Sequence, residues 1–385
     1  MRYINKFPFF TWMDVIQKIK ILGAGAKYDN CGCSVPKTKE DNKVKDALQY
    51  AIYEASSEGG MKTKLFKTLM SNACSFDCKY CLNSTSCEKK GKKAIFEPEE
   101  LAKTFMYLLR KQYVSGLFLS SAITSQPDIM AEKMVEAVSI IRYRYKFRGY
   151  IHMKVLPGES YDLVKRSAKL ATRLSINIEA PNKSRVSELS STKEYSTDIL
   201  RRQTWIKKMK PSAGQTTQIV LGAAGETDLE VLKMVDWEYK NMDLNRFYFS
   251  AFSPLKGTPL ENKKPVEGLR EFRLYNIDFL FRKYGYKLGE VKEILNDDML
   301  PREDPKVLMA RNYFDGHVDV NELGFKELLR IPGIGPKSAN NIVKMGNSGK
   351  KINNKRQLKE CGVVLKRALP FVEIGGQKQK LINDF

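Results

Sequence analysis

LFKTLMSNACSFDCKYCL, residues 65–82, is the stretch on which the fold turns. Leu65 to Met70 form a short apolar run of strand character, and the loop after it carries Cys74, Cys78 and Cys81 at the spacing C-x3-C-x2-C. A strand running straight into such a loop can fold three thiolates around one soft metal centre. A cubane iron–sulfur cluster takes four ligands, so three thiolates leave one iron open to a small molecule. The plainer readings are a structural zinc site or three unrelated buried thiols. Structural zinc closes its shell with four protein ligands, often in two pairs, whereas the neighbouring sequence offers only Cys87 and no histidine.

With Tyr80 directly before the last cysteine, the loop resembles the signature of the radical S-adenosylmethionine (SAM) superfamily. The resemblance implies one [4Fe-4S] cluster on Cys74, Cys78 and Cys81, with Tyr80 beside the cofactor and the SAM amino and carboxylate groups on the open iron. It further implies one-electron cleavage of SAM to methionine and a 5'-deoxyadenosyl radical, fed by an electron donor such as a flavodoxin or ferredoxin. The cofactor carries that chemistry, and the protein supplies binding, orientation and exclusion of water.

The chain has 385 residues, enough for two or three domains and a large core. Its net charge of +22 favours polyanionic partners, nucleic acid above all, although a lysine-rich bias by itself makes only a solvated surface. Seven cysteines, three of them in a motif that needs reduced thiolates, argue against a disulfide framework and for a cytoplasmic protein. No apolar run reaches the ~20 residues of a membrane span, and Lys6, Pro8, Asp14 and Lys18 break up the N-terminus in a way no signal peptide shows.

Residues 1–60 read as an N-terminal extension. In it Trp12, Val15, Ile16, Ile19 and Leu22 recur at helical spacing over Thr11 to Leu22, and the spacing predicts a helix ending before Gly23. Cys31 and Cys33 form a C-x-C pair that suits either a second cluster or ordinary loop thiols, and Gly59 and Gly60 make a flexible joint. Residues 61–262 then alternate strands and helices. The strands are expected at Leu65–Met70, Gly116–Ser120, Tyr150–Val155, Arg173–Ile178, Thr217–Leu221 and Arg246–Ala251, with helices such as Pro98–Tyr113 and Asp128–Tyr145 between them. Such an α/β pattern builds a parallel sheet that either opens flat or curls. The superfamily resemblance selects the curled form, a partial six-unit (βα) barrel of the radical SAM type, whose active site would lie at the C-terminal strand ends.

Candidate cofactor contacts fall at those ends. Ser120 and Ser121, followed by Ala122, stand where the superfamily carries a Gly-Gly-Glu stretch that binds the methionine amino group; a tight polar turn is the alternative. Alternation puts His152 and Lys154 on one face, and Lys154 suits either a carboxylate ligand or a paired structural charge. Ser175, Asn177 and Glu179 share a face, and the resemblance implies a ribose contact, against the plain reading of Glu179 as an ion-pair partner. QIVLGAAGE, residues 218–226, resembles the superfamily's G-x-I-x-G-x-x-E region, with Thr217 in place of the first glycine and Ile219 at the position implied to lie beside adenine.

Residues 263–385 are basic and helical, with Leu269, Phe272, Leu280 and Phe281 as core candidates. Within them FKELLRIPGIGPKSANNIVK, residues 325–344, is a helix-hairpin-helix pattern, and the motif is placed at about 322–345. Gly333 and Gly335 let the turn present backbone N–H groups at a helix N-terminus, where Lys337 and Ser338 would join them on a nucleic-acid phosphate. A hairpin used only for packing is the alternative. Cys361 reads as a buried small hydrophobe.

KILGAGAKYDNC, the cysteine loop, FSAFSPLKGTPL and RIPGIGPKSA together resemble bacterial radical SAM proteins described as acting in DNA modification or repair. That resemblance implies DNA as the target and a partner related to uracil-DNA glycosylases. The expectation is therefore a radical SAM enzyme acting on nucleic acid, with DNA favoured over RNA. The rival is a nucleic-acid-binding protein with a structural cluster, since Cys78, Cys81 and Cys87 match the last three ligands of the C-x6-C-x2-C-x5-C cluster of helix-hairpin-helix glycosylases. Ser71 fills the first position of that pattern.

Overall fold

The computed structural model describes residues 12–28, 33–34, 48–56, 62–89, 91–375 and 377–378. Thr11, Cys31, Gly59 and Gly60 lie outside these residues, as do the side chains of Trp12 and Cys33. The chain divides into two compact units, Met1–Glu226 with Trp237–Val266, and Thr227–Asp236 with Glu267–Phe385.

The elements of the first part of the chain are α1 (Trp12–Gly25), β1 (Cys33–Ser34), β2 (Ile52–Ser56), β3 (Lys62–Leu69), α2 (Pro98–Arg110), β4 (Gly116–Ser120), α3 (Pro127–Ser139), β5 (Ile151–Lys154), α4 (Tyr161–Leu170), β6 (Arg173–Ser175), α5 (Lys183–Leu189), α6 (Arg201–Met209), β7 (Gln215–Leu221), α7 (Asp228–Asn241) and β8 (Leu244–Ala251). All eight strands form one sheet in sequential order. β1, β2 and β3 pair antiparallel, and β3 to β8 are parallel. Because the order never reverses, right-handed crossovers put every connecting helix on one face; a doubly wound sheet would need a reversal. The other face becomes the inside of a curl, and among the described residues β8 does not pair back to the first strands. This is the partial six-unit barrel of the radical SAM type that the sequence implied.

Alternation sorts the side chains accordingly. Phe66, Leu117, Leu119, Met153, Leu174 and Phe247 are buried on the helix-covered side. The concave side carries Lys67, His152, Lys154, Ser175, Gln218 and Arg246, an unusual density of polar groups for a buried surface.

The sequence reading is departed from at α1, β1, β2 and β6. α1 runs through Gly23 to Gly25, because Gly23 serves close packing: a Cβ there would sit 2.7 Å from both Ala51 Cβ and Tyr50 O. The extension also contributes β1 and β2, which no apolar run announces and which exist through pairing with β3. β6 stops at Ser175 instead of Ile178, and the chain then bends at Glu179, a non-glycine residue at φ +65°, which bridges to Ile219.

The second unit contains α8 (Gly268–Phe279), α9 (Leu288–Lys292), α10 (Pro305–Tyr313), β9 (Val318–Asp319), α11 (Phe325–Leu328), α12 (Pro336–Asn347), α13 (Lys355–Glu360), α14 (Leu365–Ala368), β10 (Val372–Ile374) and β11 (Gln377–Lys378). Leu328, Ile331, Ile334, Ala339, Leu358 and Val363 centre its core. Along α8 and into the turn after it the buried residues Leu274, Ile277 and Leu280 recur three apart, so Phe272 falls on the exposed side and is not a core residue. Among the described residues, no helix is long and apolar enough to cross a membrane.

Candidate functional site

The cysteine loop leaves β3 at the C-terminal edge of the sheet and is tied down on two sides. Toward β4, Ala122 N donates to Ser71 O at 2.8 Å and Ser75 N to Ile123 O at 2.7 Å. Toward the segment after α5, the Asp77 carboxylate accepts from Ser190 Oγ at 2.5 Å, from Ser191 N at 3.0 Å and Oγ at 2.6 Å, and from Thr192 Oγ1 at 2.8 Å. Burial raises the Asp77 pKa, but these donors outweigh it and hold the carboxyl well below its usual range. Asp77 is thus an ionised clasp between the loop and residues 190–192, a feature the sequence reading missed.

The clasp delivers the next residue, Lys193, into the site. Lys193 Nζ lies 2.8 Å from Glu179 Oε1, and both side chains are more than nine-tenths buried. The ammonium also lies 5.9 Å from the Phe76 ring centroid. Burial would push the Lys193 pKa down, yet Cys78 and Glu179 more than reverse this, so the group stays charged. Burial pushes the Cys78 thiol up against the pull of Lys193, and burial with Cys78 beside it pushes Cys81 up to about 12. Burial and the Glu179 carboxylate likewise raise Tyr80 well above its ordinary range.

Cys74, Cys78 and Cys81 are free thiols, with Cys74 near enough to the other two to push their thiols up, without converging to ligand distances; among the described residues no trio of His, Cys, Asp and Glu does. The donor set nevertheless fits an iron–sulfur cluster, with three soft ligands on one anchored loop and a buried ammonium to offset thiolate charge. Cys87 is buried and donates from Sγ to Lys89 O at 3.4 Å, while Ser71 Oγ accepts from Ala73 N at 3.1 Å. Metal would enter through thiolate formation, because iron deprotonates its ligands.

The other expected cofactor residues divide into groups. Ser120 and Ser121 are buried at the end of β4, with Ser121 Oγ donating to Ser71 O at 3.4 Å. Lys154 and Asn177 are hydrogen-bonded to each other, and His152 Nε2 contacts Ser175 Oγ at 2.7 Å, so β5 and its neighbour segment form a ladder of polar pairs. Burial, with Arg173, Lys154 and Lys67 nearby, holds the His152 pKa well below the ordinary value and keeps its ring neutral. Glu179 leaves its Oε2 buried with no hydrogen-bond partner, an unused acceptor at the mouth of the curl. Ile219 is fully buried on the face of β7 opposite Gln218 and Val220.

In the second unit, Gly333 (φ +85°) makes the turn between α11 and α12, and Gly335 caps α12 with Pro336 at its first position. A Cβ on Gly333 would lie 2.5 Å from Val364 O, and Val364 N donates to Gly333 O at 3.0 Å. A second hairpin, between α13 and α14, therefore packs on the first. Lys337 is exposed at the N-terminus of α12. Ser338 is placed otherwise than expected: its side chain is buried and its hydroxyl donates to Gly362 O at 2.7 Å, joining the two hairpins, so only its amide remains at the helix end.

Residues 68–237 match the Radical SAM superfamily and residues 315–368 match the Helix-hairpin-helix motif. The chain is 24% identical over 309 residues to tRNA-2-methylthio-N(6)-dimethylallyladenosine synthase of Lachnoclostridium phytofermentans, covering 76% of this chain and 63% of that one. It is 25% identical to biotin synthase of a Hydrogenobaculum species, over 53% of this chain and 60% of that one. The crystal structure of methylornithine synthase aligns with 54% of this chain and 59% of its own at a TM-score of 0.45 and 16% identity. The chain thus spans about three fifths of the length of the curated relatives named. The cofactors of such a domain are one [4Fe-4S] cluster and SAM. Less than half of the chain, residues 68–237, is thus similar to the Radical SAM superfamily, on the same chain as a match to the helix-hairpin-helix motif.

Proposed function

We propose that the chain is a radical SAM enzyme that modifies or repairs nucleic acid. The observation that carries this reading is the joint presence of the three-cysteine loop, at the C-terminal edge of a six-strand parallel curl, and a helix-hairpin-helix module. Bound there, the cluster and SAM would supply the radical chemistry by which hydrogen is taken from a substrate. Cys74, Cys78 and Cys81 would hold the cluster, and Asp77 fixes their loop. The unused Glu179 oxygen and the polar ends of β4, β5 and β6 offer acceptors and donors for the SAM ribose and methionine. The apolar packing of the helix-covered face and the closed ladder of polar pairs limit water at the reacting atoms.

Gly333, Gly335, Lys337 and the Ser338 amide would take a backbone phosphate, an interaction that positions without reading bases. DNA is the substrate the helix-hairpin-helix reading favours, and a base inside a duplex would have to be flipped out or presented in a single strand. The second reading is tRNA, favoured by the similarity to a tRNA-modifying synthase. A flavodoxin or ferredoxin would supply the electron, and a uracil-DNA-glycosylase-like protein is the proposed protein partner. The test is uptake of deuterium from a labelled nucleic acid into 5'-deoxyadenosine, with duplex DNA, single-stranded DNA and tRNA offered in parallel. Label from either DNA supports the leading reading and label from tRNA alone moves the second to the front; no label from any of them overturns both.

A further inference from the structure

Two large aromatic side chains of α8 stand in solvent, Phe272 at 56% exposure and Phe279 at 45%. Seven residues apart, they share one face of the helix, opposite the buried Leu274 and Ile277, and are separated by about 10 Å along its axis. The same face carries Asn276 between the rings and Lys283 one turn beyond Phe279, in the π-helical turn Leu280–Tyr284 that continues α8. Single exposed apolar residues are ordinary, whereas two rings aligned on one helix face mark a surface that something covers. We propose that this face of α8 is a stacking platform for the bases of a single-stranded nucleic acid. This rests on the nucleic-acid reading made under the proposed function and narrows its substrate to a strand that is unpaired where it crosses α8.

The surroundings of the rings suit a polyanion. The residues three or four positions from either ring are Gly268, Leu269, Tyr275, Asn276, Arg282 and Lys283, so no carboxylate borders them along the helix face. Glu271 and Asp278, the acids next to them in sequence, sit about 100° round the helix, and Asp278 is buried and paired with Arg282 Nη2 at 2.9 Å. Arg273 adds a fixed cation: its Nε and Nη2 donate to Arg302 O at 3.0 and 2.6 Å, and the guanidinium lies 5.6 Å from the Phe272 ring centroid. The face also leads to the hairpin. The Phe279 ring centroid lies 5.6 Å from that of Tyr284, and Tyr284 Oη lies 3.2 Å from where a Cβ would stand on Gly335, the cap of α12. A strand whose phosphate sits at that cap would therefore run onto Phe279 and then Phe272. Every base has a π-face, so exposed rings hold an unpaired strand whatever its sequence, while the bases of a duplex are already stacked on one another.

The experiment is a binding titration of the full chain with oligo-dT, oligo-U and a DNA duplex of equal length, at low and at moderate salt. Phe272→Leu and Phe279→Leu keep apolar bulk but remove the ring, and each is expected to weaken single-strand binding by about five- to a hundredfold while leaving duplex binding and the salt slope unchanged. Phe279→Tyr should bind as wild type does, and in Phe279→Trp the indole emission should be quenched when a strand is added, a readout independent of affinity. A tighter hold on oligo-dT or on oligo-U, lost in the same variants, supports the platform and tells DNA from RNA. Single-strand affinity that is unmoved in the double variant Phe272→Leu with Phe279→Leu overturns the proposal, as does an equal loss for the duplex. Self-association of the wild type that the double variant abolishes would make the face a contact between copies and overturn it too. If the wild type binds none of the three probes, the nucleic-acid reading fails as well, whereas binding that ignores both rings defeats this inference alone.

Discussion

Asp77 shows how much a single side chain can hold. Its carboxylate accepts hydrogen bonds from three consecutive residues more than a hundred positions away in sequence. Hydrogen bonds to a charged group are worth roughly 1.5–3 kcal/mol each, less where water competes, so Asp77→Ala should cost about 2 kcal/mol and lower the iron retained after reconstitution. Iron and sulfide analysis beside a denaturant titration checks both; full iron retention would show that the clasp is dispensable. Neither Asp77 nor Lys193 was legible in the sequence, because each acts through partners brought near only by the curl of the sheet. The spacing of the three cysteines was legible because all three lie in one short loop. The partner of the Ser338 hydroxyl was not legible for the same reason as those of Asp77: a hydroxyl at a helix start suits either a phosphate or a neighbouring carbonyl, and the second hairpin supplies the carbonyl at Gly362.

Among the elements, the strands were legible where alternation or an apolar run is long, as at Gly116–Ser120, where the expected and observed bounds coincide. They were not legible where pairing creates the strand, as at Ile52–Ser56. The hairpin between α11 and α12 depends on one backbone position. Gly333→Ala combines a positive φ with a Cβ 2.5 Å from Val364 O, so we expect a loss of about 2–4 kcal/mol and weaker nucleic-acid binding, measured by thermal unfolding and a binding titration. α6 and α7 enclose a buried carboxyl, Glu238, which accepts from Gln203 Nε2 at 3.2 Å and leaves Oε1 without a partner. Burial, opposed by Gln203, raises its pKa to about 8. The folded state therefore binds a proton more tightly than the unfolded chain. Its contribution to stability is present below pH ~4.5 and is lost as pH rises to about 8. Glu238→Gln should match wild type near pH 5 and exceed it by on the order of 3 kcal/mol at pH 8, in denaturant titrations at the two pH values.

For the whole molecule, the proposed nucleic-acid reading gives the net charge of +22 a use through the helix-hairpin-helix motif. Lys337 is exposed at the N-terminus of α12, so Lys337→Ala should weaken binding to DNA and RNA of any sequence alike and reduce the salt slope by about one unit. A loss confined to one sequence would assign Lys337 to base reading instead. The six-unit curl and the cluster loop could be read from the chain because both repeat or cluster locally, whereas the choice of substrate lies in surfaces that no short motif specifies. The central claim is that this chain cleaves SAM on a three-cysteine cluster. Its most direct test is 5'-deoxyadenosine formed by anaerobically reconstituted protein with SAM and a strong reductant, in wild type, Cys74→Ala and Cys87→Ala. The account predicts product in wild type and in Cys87→Ala and none in Cys74→Ala; a fully loaded wild-type cluster that yields no 5'-deoxyadenosine would contradict it.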